Sequence, residues 1–189
     1  TSNVGAAVNF QDACYPTITR CIFTFNSNPG ASGGAIWGGS PTITDCEFTS
    51  NQSLQGGAIF GCGSSSVIKN SVFTGNQANG GGALYVETSL SVLNCEFVQN
   101  TAWDGGAILV TGANASPTIS NCYFRENTAT PKESMYAPYI GSAGGAICSV
   151  GISPMITNCV FAGNSALADT WDGLAGQGGA VYINSSATL

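Results

Sequence analysis

The apolar residues of the chain fall in short alternating triplets, with neither helical spacing nor a long hydrophobic run. One triplet sets an aliphatic residue among hydroxyls, as in Thr17-Ile18-Thr19, Thr42-Ile43-Thr44 and Thr118-Ile119-Ser120. A second sets a phenylalanine between a small residue and an asparagine: Cys21/Phe23/Asn26, Cys46/Phe48/Asn51, Ser71/Phe73/Asn76, Cys95/Phe97/Asn100, Cys122/Phe124/Asn127 and Cys159/Phe161/Asn164. Its starts lie 25, 25, 24, 27 and 37 residues apart. A third opens on paired glycines: Gly33-Gly34-Ala35-Ile36, then the same pattern from Gly56, Gly81, Gly105, Gly144 and Gly178, with a degenerate Gly5-Ala6-Ala7-Val8 at the start.

Self-similarity at a period of about 20 to 30 residues marks a repeat architecture in which neighbouring units stack to make the core. No segment is long enough for a helix, and at about 3.3 Å per residue three short strands plus corners use up about 25 residues, one coil of a parallel β-helix. The pattern predicts an all-β solenoid of about seven coils with three short strands per coil. A leucine-rich horseshoe would need leucines and a helical segment in each repeat, and neither is visible. Equivalent residues of successive coils then stand in columns about 4.8 Å apart. Phe23, Phe48, Phe73, Phe97, Phe124 and Phe161 should stack inside, beside Ile18, Ile43, Ile68, Val92, Ile119 and Ile156. The asparagines should end the third strand at a left-handed corner and bond to one another as a ladder, a structural role that explains every copy.

Period-2 alternation makes one further column. If Ile36, Ile59, Leu84, Ile108, Ile147 and Val181 point inward, then Trp37, Phe60, Tyr85, Leu109, Cys148 and Tyr182 point outward, and so do the alanines before the aliphatics. Such a stripe is a contact surface to be covered by a second copy of the chain, another part of the parent protein, or sugar rings. A one-residue slip would reverse the facing and put the stripe in the core.

One corner is longer in the last coils, with insertions at 128–143 and 165–177 carrying Tyr136, Tyr139 and Trp171 together with Lys132, Glu133, Asp169 and Asp172. Adjacent insertions on one edge are expected to pack on each other as a second contact patch, because recognition sits on loops mounted on rigid scaffolds. The chain begins without Met and stops at Ala187-Thr188-Leu189, inside a unit, so residues 1–189 read as one β-helical segment of a longer repeat protein.

Composition narrows the chemistry. Four Lys and Arg in 189 residues, against a net charge of −6, cannot neutralise a phosphate backbone, so nucleic acid is not a partner. No run approaches 18 apolar residues, so no membrane-spanning segment is expected. There is no His, and the ten carboxylates are scattered. The nearest same-column pair, Glu47 and Glu96, is separated by Val72, hence by about 9.6 Å, and is a weak basis for a glycosidase. No catalytic residue, metal site or cofactor is assigned.

The paired signatures G-G-A-[ILV] and F-x-x-N resemble the repeats of the chlamydial polymorphic outer-membrane proteins over nearly the whole chain. That resemblance implies a right-handed parallel β-helix displayed on a cell surface. The cysteine column is not part of it. Five of the eight cysteines share that column, at a spacing inside the disulfide window, so Cys21–Cys46 and one of Cys95–Cys122 or Cys122–Cys159 are geometrically possible. A column of small apolar thiols fits equally, and Ser71 shows that the site accepts an unpaired small residue. Cys62 and Cys148 lack column partners, so at least one is expected to be unpaired or bonded elsewhere. Low lysine content, asparagine richness and repeat construction point to an oxidising, extracellular setting. Of three sequons, Asn51 is a ladder position. Asn114 and Asn184, placed at an equivalent corner after the first strand, are the candidate N-glycosylation sites.

Three functions compete: a surface rod, stalk or filament acting by contact; a polysaccharide-binding or polysaccharide-cleaving β-helix; and ice binding through the Thr-x-Thr rows. The third is weakened by Val67/Lys69, Ser91/Leu93 and Met155/Thr157, which interrupt the rows. The first, an extracellular structural or adhesive module, fits the composition best.

Overall fold

The computed structural model describes residues 7–11, 14–112, 114–131, 142–168 and 175–184. Within them the chain winds as a parallel β-helix. The first strands of the coils, Val8–Phe10, Ile36–Gly38, Ile59–Phe60, Leu84–Val86, Ile108–Val110, Ile147–Val150 and Val181–Asn184, form a seven-stranded sheet in chain order. The second strands, Thr17–Thr19 through Met155–Thr157, and the third strands, Ile22–Thr24 through Val160–Ala162, form six-stranded sheets. Six coils therefore carry all three strands, with one first strand beyond them, close to the expected seven. The sequence did not announce the additional two-residue strands, such as Thr101–Ala102, Thr128–Ala129 and Ser165–Ala166, which pair just past the asparagine corner.

Both inner columns form. The register runs Phe23, Phe48, Phe73, Phe97, Phe124, Phe161, with ring centroids 4.7 to 5.0 Å apart and planes within 7° of parallel. The aliphatic column from Ile18 to Ile156 is in register beside it. Burying each such side chain stabilises the coil by about 1.5 to 3 kcal/mol relative to leaving it in water.

The asparagine ladder is continuous from Asn26 to Asn164. Each Oδ1 accepts both the backbone N–H and the Nδ2 of the asparagine one coil before it, at 2.8 to 3.1 Å. Each Nδ2 from Asn51 onward also donates to the carbonyl of the phenylalanine one coil back. The expectation that the asparagine itself takes the left-handed corner is corrected. The positive φ belongs to the residue before it, Phe25, Ser50, Gln99 and Glu126 among them, and the strand has already ended there. This frees the asparagine to turn inward, where Asn51, Asn76, Asn100 and Asn127 are fully buried.

The paired glycines form the opposite corner. Gly56 has φ +61°, and a Cβ on Gly57 would overlap the carbonyl oxygen of Gly82 in the next coil. The strand begins only after the alanine, which corrects the outward placing of that column. Ala35, Ala58, Ala83, Ala107 and Ala146 are completely buried, because alternation does not extend back through a corner. There the N–H groups of Ala58 and Ile59 both donate to Ala83 O, so two successive residues face inward.

Substituting Asn100 with Ala strands the Asn76 N–H and Nδ2, both buried, and takes one of two donors from the Phe73 carbonyl, which keeps its strand pairing. At about 1 to 3 kcal/mol per unsatisfied group, the loss should be at least about 2 kcal/mol. Urea unfolding of the variant against wild type reads this directly.

Candidate functional site

The outer face of the first sheet is built by the register of its middle residues. Trp37 pairs with Phe60, Phe60 with Tyr85, Tyr85 with Leu109, Leu109 with Cys148, and Cys148 with Tyr182. Their neighbours Ile36, Ile59, Leu84, Ile108 and Ile147 are buried inside, so the facing is the outward one. The column is less exposed than expected. Trp37, Phe60, Tyr85 and Tyr182 are half-buried, while Leu109, at 8% exposure, and Cys148, at 1%, are buried against Ala143 in a small apolar cluster of their own. Phe60 and Tyr85 touch at 5.2 Å between ring centroids.

The cover comes from the corner that precedes the paired glycines. Gln55, Gly80, Asp104, Ala143 and Gln177 bridge to one another in a column alongside the aromatic one. Leu54, Asn79 and Trp103 form a second wall, each N–H bonded to the carbonyl of the coil before. A groove of about 490 Å³ is lined by residues of both columns together with Tyr85 and Leu109. At Gly80 a Cβ would stand 2.8 Å from Leu109 Cδ2 and 3.4 Å from Tyr85 Cε2, so the Leu109 side chain occupies the space that a side chain at this position would take. Asp104 Oδ1 accepts the Ala143 N–H at 3.2 Å. Sequence reasoning found Tyr85 and Leu109 but missed Gln55, Asn79, Gly80, Trp103 and Asp104. The available signal was the third glycine of Gly80-Gly81-Gly82, at a position where adjacent coils carry Gln55 and Asp104.

The description right handed beta helix region is that of a family matching residues 1–189. The chain belongs to the right-handed β-helix family. Comparison with curated proteins finds no match, and comparison with solved structures finds none. The family includes polysaccharide-degrading enzymes as well as proteins without enzymatic activity.

The remaining expected residues of this β-helix scatter. Glu47 and Glu96 flank Val72 on the outside of the third sheet, as the spacing required, and are not brought together. Tyr136, Tyr139 and Trp171 lie outside the described residues, together with Lys132, Glu133, Asp169 and Asp172. The Cys21–Cys46 disulfide is corrected: all eight cysteines are free thiols. Cys21 is exposed, Cys46 is buried, and the column thiols donate instead to the carbonyl two residues back, as Cys46 does to Thr44 O at 3.2 Å. Asn114 and Asn184 are both exposed but not equivalent. Asn114 follows the strand at a turn, whereas Asn184 closes the last first strand, in register with Val150. Among the described residues no helix is long and apolar enough to cross a membrane, and no cluster of metal-ligating side chains occurs.

Burial, and after it the Asp104 carboxylate, pushes the Cys148 thiol up to about 12 from an ordinary value of 9.0. Because the folded value is the higher one, the stability this thiol contributes is complete below about pH 9 and is lost as pH rises towards 12. Replacing Cys148 with Ala should make the decline of stability over that window shallower, by up to about 1.4 kcal/mol per pH unit. Denaturant melts at a series of alkaline pH values compare the two slopes.

Proposed function

We propose that this chain is an extracellular structural or adhesive module, a rigid β-helical segment of a longer surface protein that acts by contact and not by chemistry. The observation that carries the reading is the outer column of the first sheet, in which Trp37, Phe60, Tyr85 and Tyr182 remain half-exposed on one side of the rod. Large rings held in line by a fixed register supply contact area at little entropic cost, since the scaffold has already ordered them. The resemblance of the G-G-A-[ILV] and F-x-x-N repeats to surface-displayed outer-membrane passengers supports the same reading, as does the near absence of cations. The occupant of the stripe is a second copy of the chain, a neighbouring part of the parent protein, or a surface glycan. In a eukaryotic secretory pathway the exposed Asn114 is the better of the two glycan acceptors, because it sits at a turn and not within a strand.

Beads coated with the chain should be retained on surfaces bearing immobilised polysaccharides or matrix proteins. Retention should fall at least about tenfold when Phe60 and Tyr182 are both changed to Ser, the loss expected when aromatic anchors are removed. Soluble polysaccharide incubated with the chain should gain no reducing ends. Retention indifferent to both substitutions, or release of reducing ends, would contradict the reading.

A further inference from the structure

One dipeptide in the wall of the groove keeps both of its reactive groups unspent. Asn79-Gly80 is the one Asn-Gly pair in the sequence. The Asn79 amide makes no hydrogen bond among the described residues. In a parallel bridge to Gln55 the Gly80 N–H would donate to Leu54 O, but that carbonyl already receives the Asn79 N–H at 3.0 Å. No bond of normal length is left to the Gly80 N–H among the described residues. We infer that Asn79-Gly80 is a site of spontaneous deamidation in the folded chain, through a succinimide closed between the Gly80 nitrogen and the Asn79 side-chain carbon.

The step needs no reactant but water. The Gly80 nitrogen gives up its proton and attacks Asn79 Cγ, the Cγ–Nδ2 bond breaks, and the nitrogen leaves as ammonia. Water then opens the ring at either carbonyl. Cleavage at Cγ leaves aspartate, and cleavage at the main-chain carbonyl carbon leaves isoaspartate. Three features of the corner favour ring closure. Gly80 has no side chain to crowd the attacking nitrogen. The Asn79 carbonyl accepts the Trp103 N–H at 3.0 Å, which polarises the amide and makes its N–H, on Gly80, easier to deprotonate. Both residues line the groove, so water reaches them and ammonia can leave.

Other positions able to close the same ring are held back. Asn51, Asn76, Asn100 and Asn127 spend their amides on the ladder, and the N–H that follows each, from Gln52 to Thr128, donates to the asparagine carbonyl one coil back at 2.9 Å. Asp104-Gly105 has its glycine N–H bonded to Ala143 O at 2.9 Å. At Asn79-Gly80 the products would not be silent. Aspartate adds a negative charge to a chain already at −6. Isoaspartate lengthens the main chain where three bonds of 3.0 Å tie it to its neighbours: Asn79 N–H to Leu54 O, Trp103 N–H to Asn79 O, and Gly56 N–H to Gly80 O. The wall of the groove would therefore loosen as the molecule ages.

The test is to incubate the folded chain in mildly alkaline buffer and map its peptides by mass spectrometry, with an isoaspartyl methyltransferase as the label for isoaspartate. Asn79 should convert at least about tenfold faster than any of the four buried ladder asparagines. Gly80→Ala should slow the conversion at least about tenfold, because a methyl group then stands beside the attacking nitrogen. That variant should fold, since Gly80 is not in the left-handed region and the nearest atom to the added Cβ is the far end of the Leu109 side chain, which can turn aside. Asn79→Gln keeps the amide but would have to close a larger ring, so its peptide should take no label. Urea-unfolded wild type, in which the ladder asparagines lose their protection, should lose the preference for Asn79 over them. Survival of Asn79 in the folded chain, ladder asparagines converting as fast as Asn79 there, or an unchanged rate in a folded Gly80→Ala variant would overturn the inference.

Discussion

The hydrogen bonding of each coil to the next fixes everything else in this molecule. Parallel pairing sets the coils one strand spacing apart and leaves no freedom of register, so a residue chosen once is presented again at the same place. Phenylalanines spaced 24 to 37 residues apart in sequence become rings less than 5.1 Å apart, and asparagines become a wire of amides. The spacing holds across the longest repeat as well. Phe124 and Phe161, 37 residues apart, still stack at 5.0 Å, against 4.7 to 4.9 Å for the others.

The same constraint explains why the fold was legible in the sequence and the groove was not. The columns could be counted from recurring Phe23-type and Asn26-type positions, since a solenoid turns period directly into space. The facing of Trp37, Phe60 and Tyr85 followed from alternation within a strand. Alternation failed one residue earlier, at Ala35 and its equivalents, because the paired glycines place a corner there and a corner has no period of 2. The placing of the left-handed residue failed for a related reason. Asparagine tolerates that conformation, but here its amide is worth more turned inward, and the strain moves to Ser50 or Gln99 beside it.

Repetition builds the scaffold, and departure from repetition makes the candidate site. Regular coils bury what they share, so a surface feature able to discriminate has to come from positions that differ between coils. Gly80 among Gln55 and Asp104, and Trp103 in line with Leu54 and Asn79, are such positions. They are invisible to a reading that looks only for what recurs. The cysteine column makes the complementary point. Spacing alone permitted bonds between neighbours, yet the thiols, placed between the second and third strands, donate to the carbonyl that ends the second strand and serve as small, weakly polar filling.

The asparagine ladder also gives the rod a direction. Every Oδ1 is filled from the lower-numbered side alone, so the side-chain dipoles add along the axis and do not cancel. A coil can join this wire in one sense only, since a coil laid against it in reverse would set donors against donors. The solenoid is thus a vector, and any partner that continues its sheets must match its heading as well as its shape.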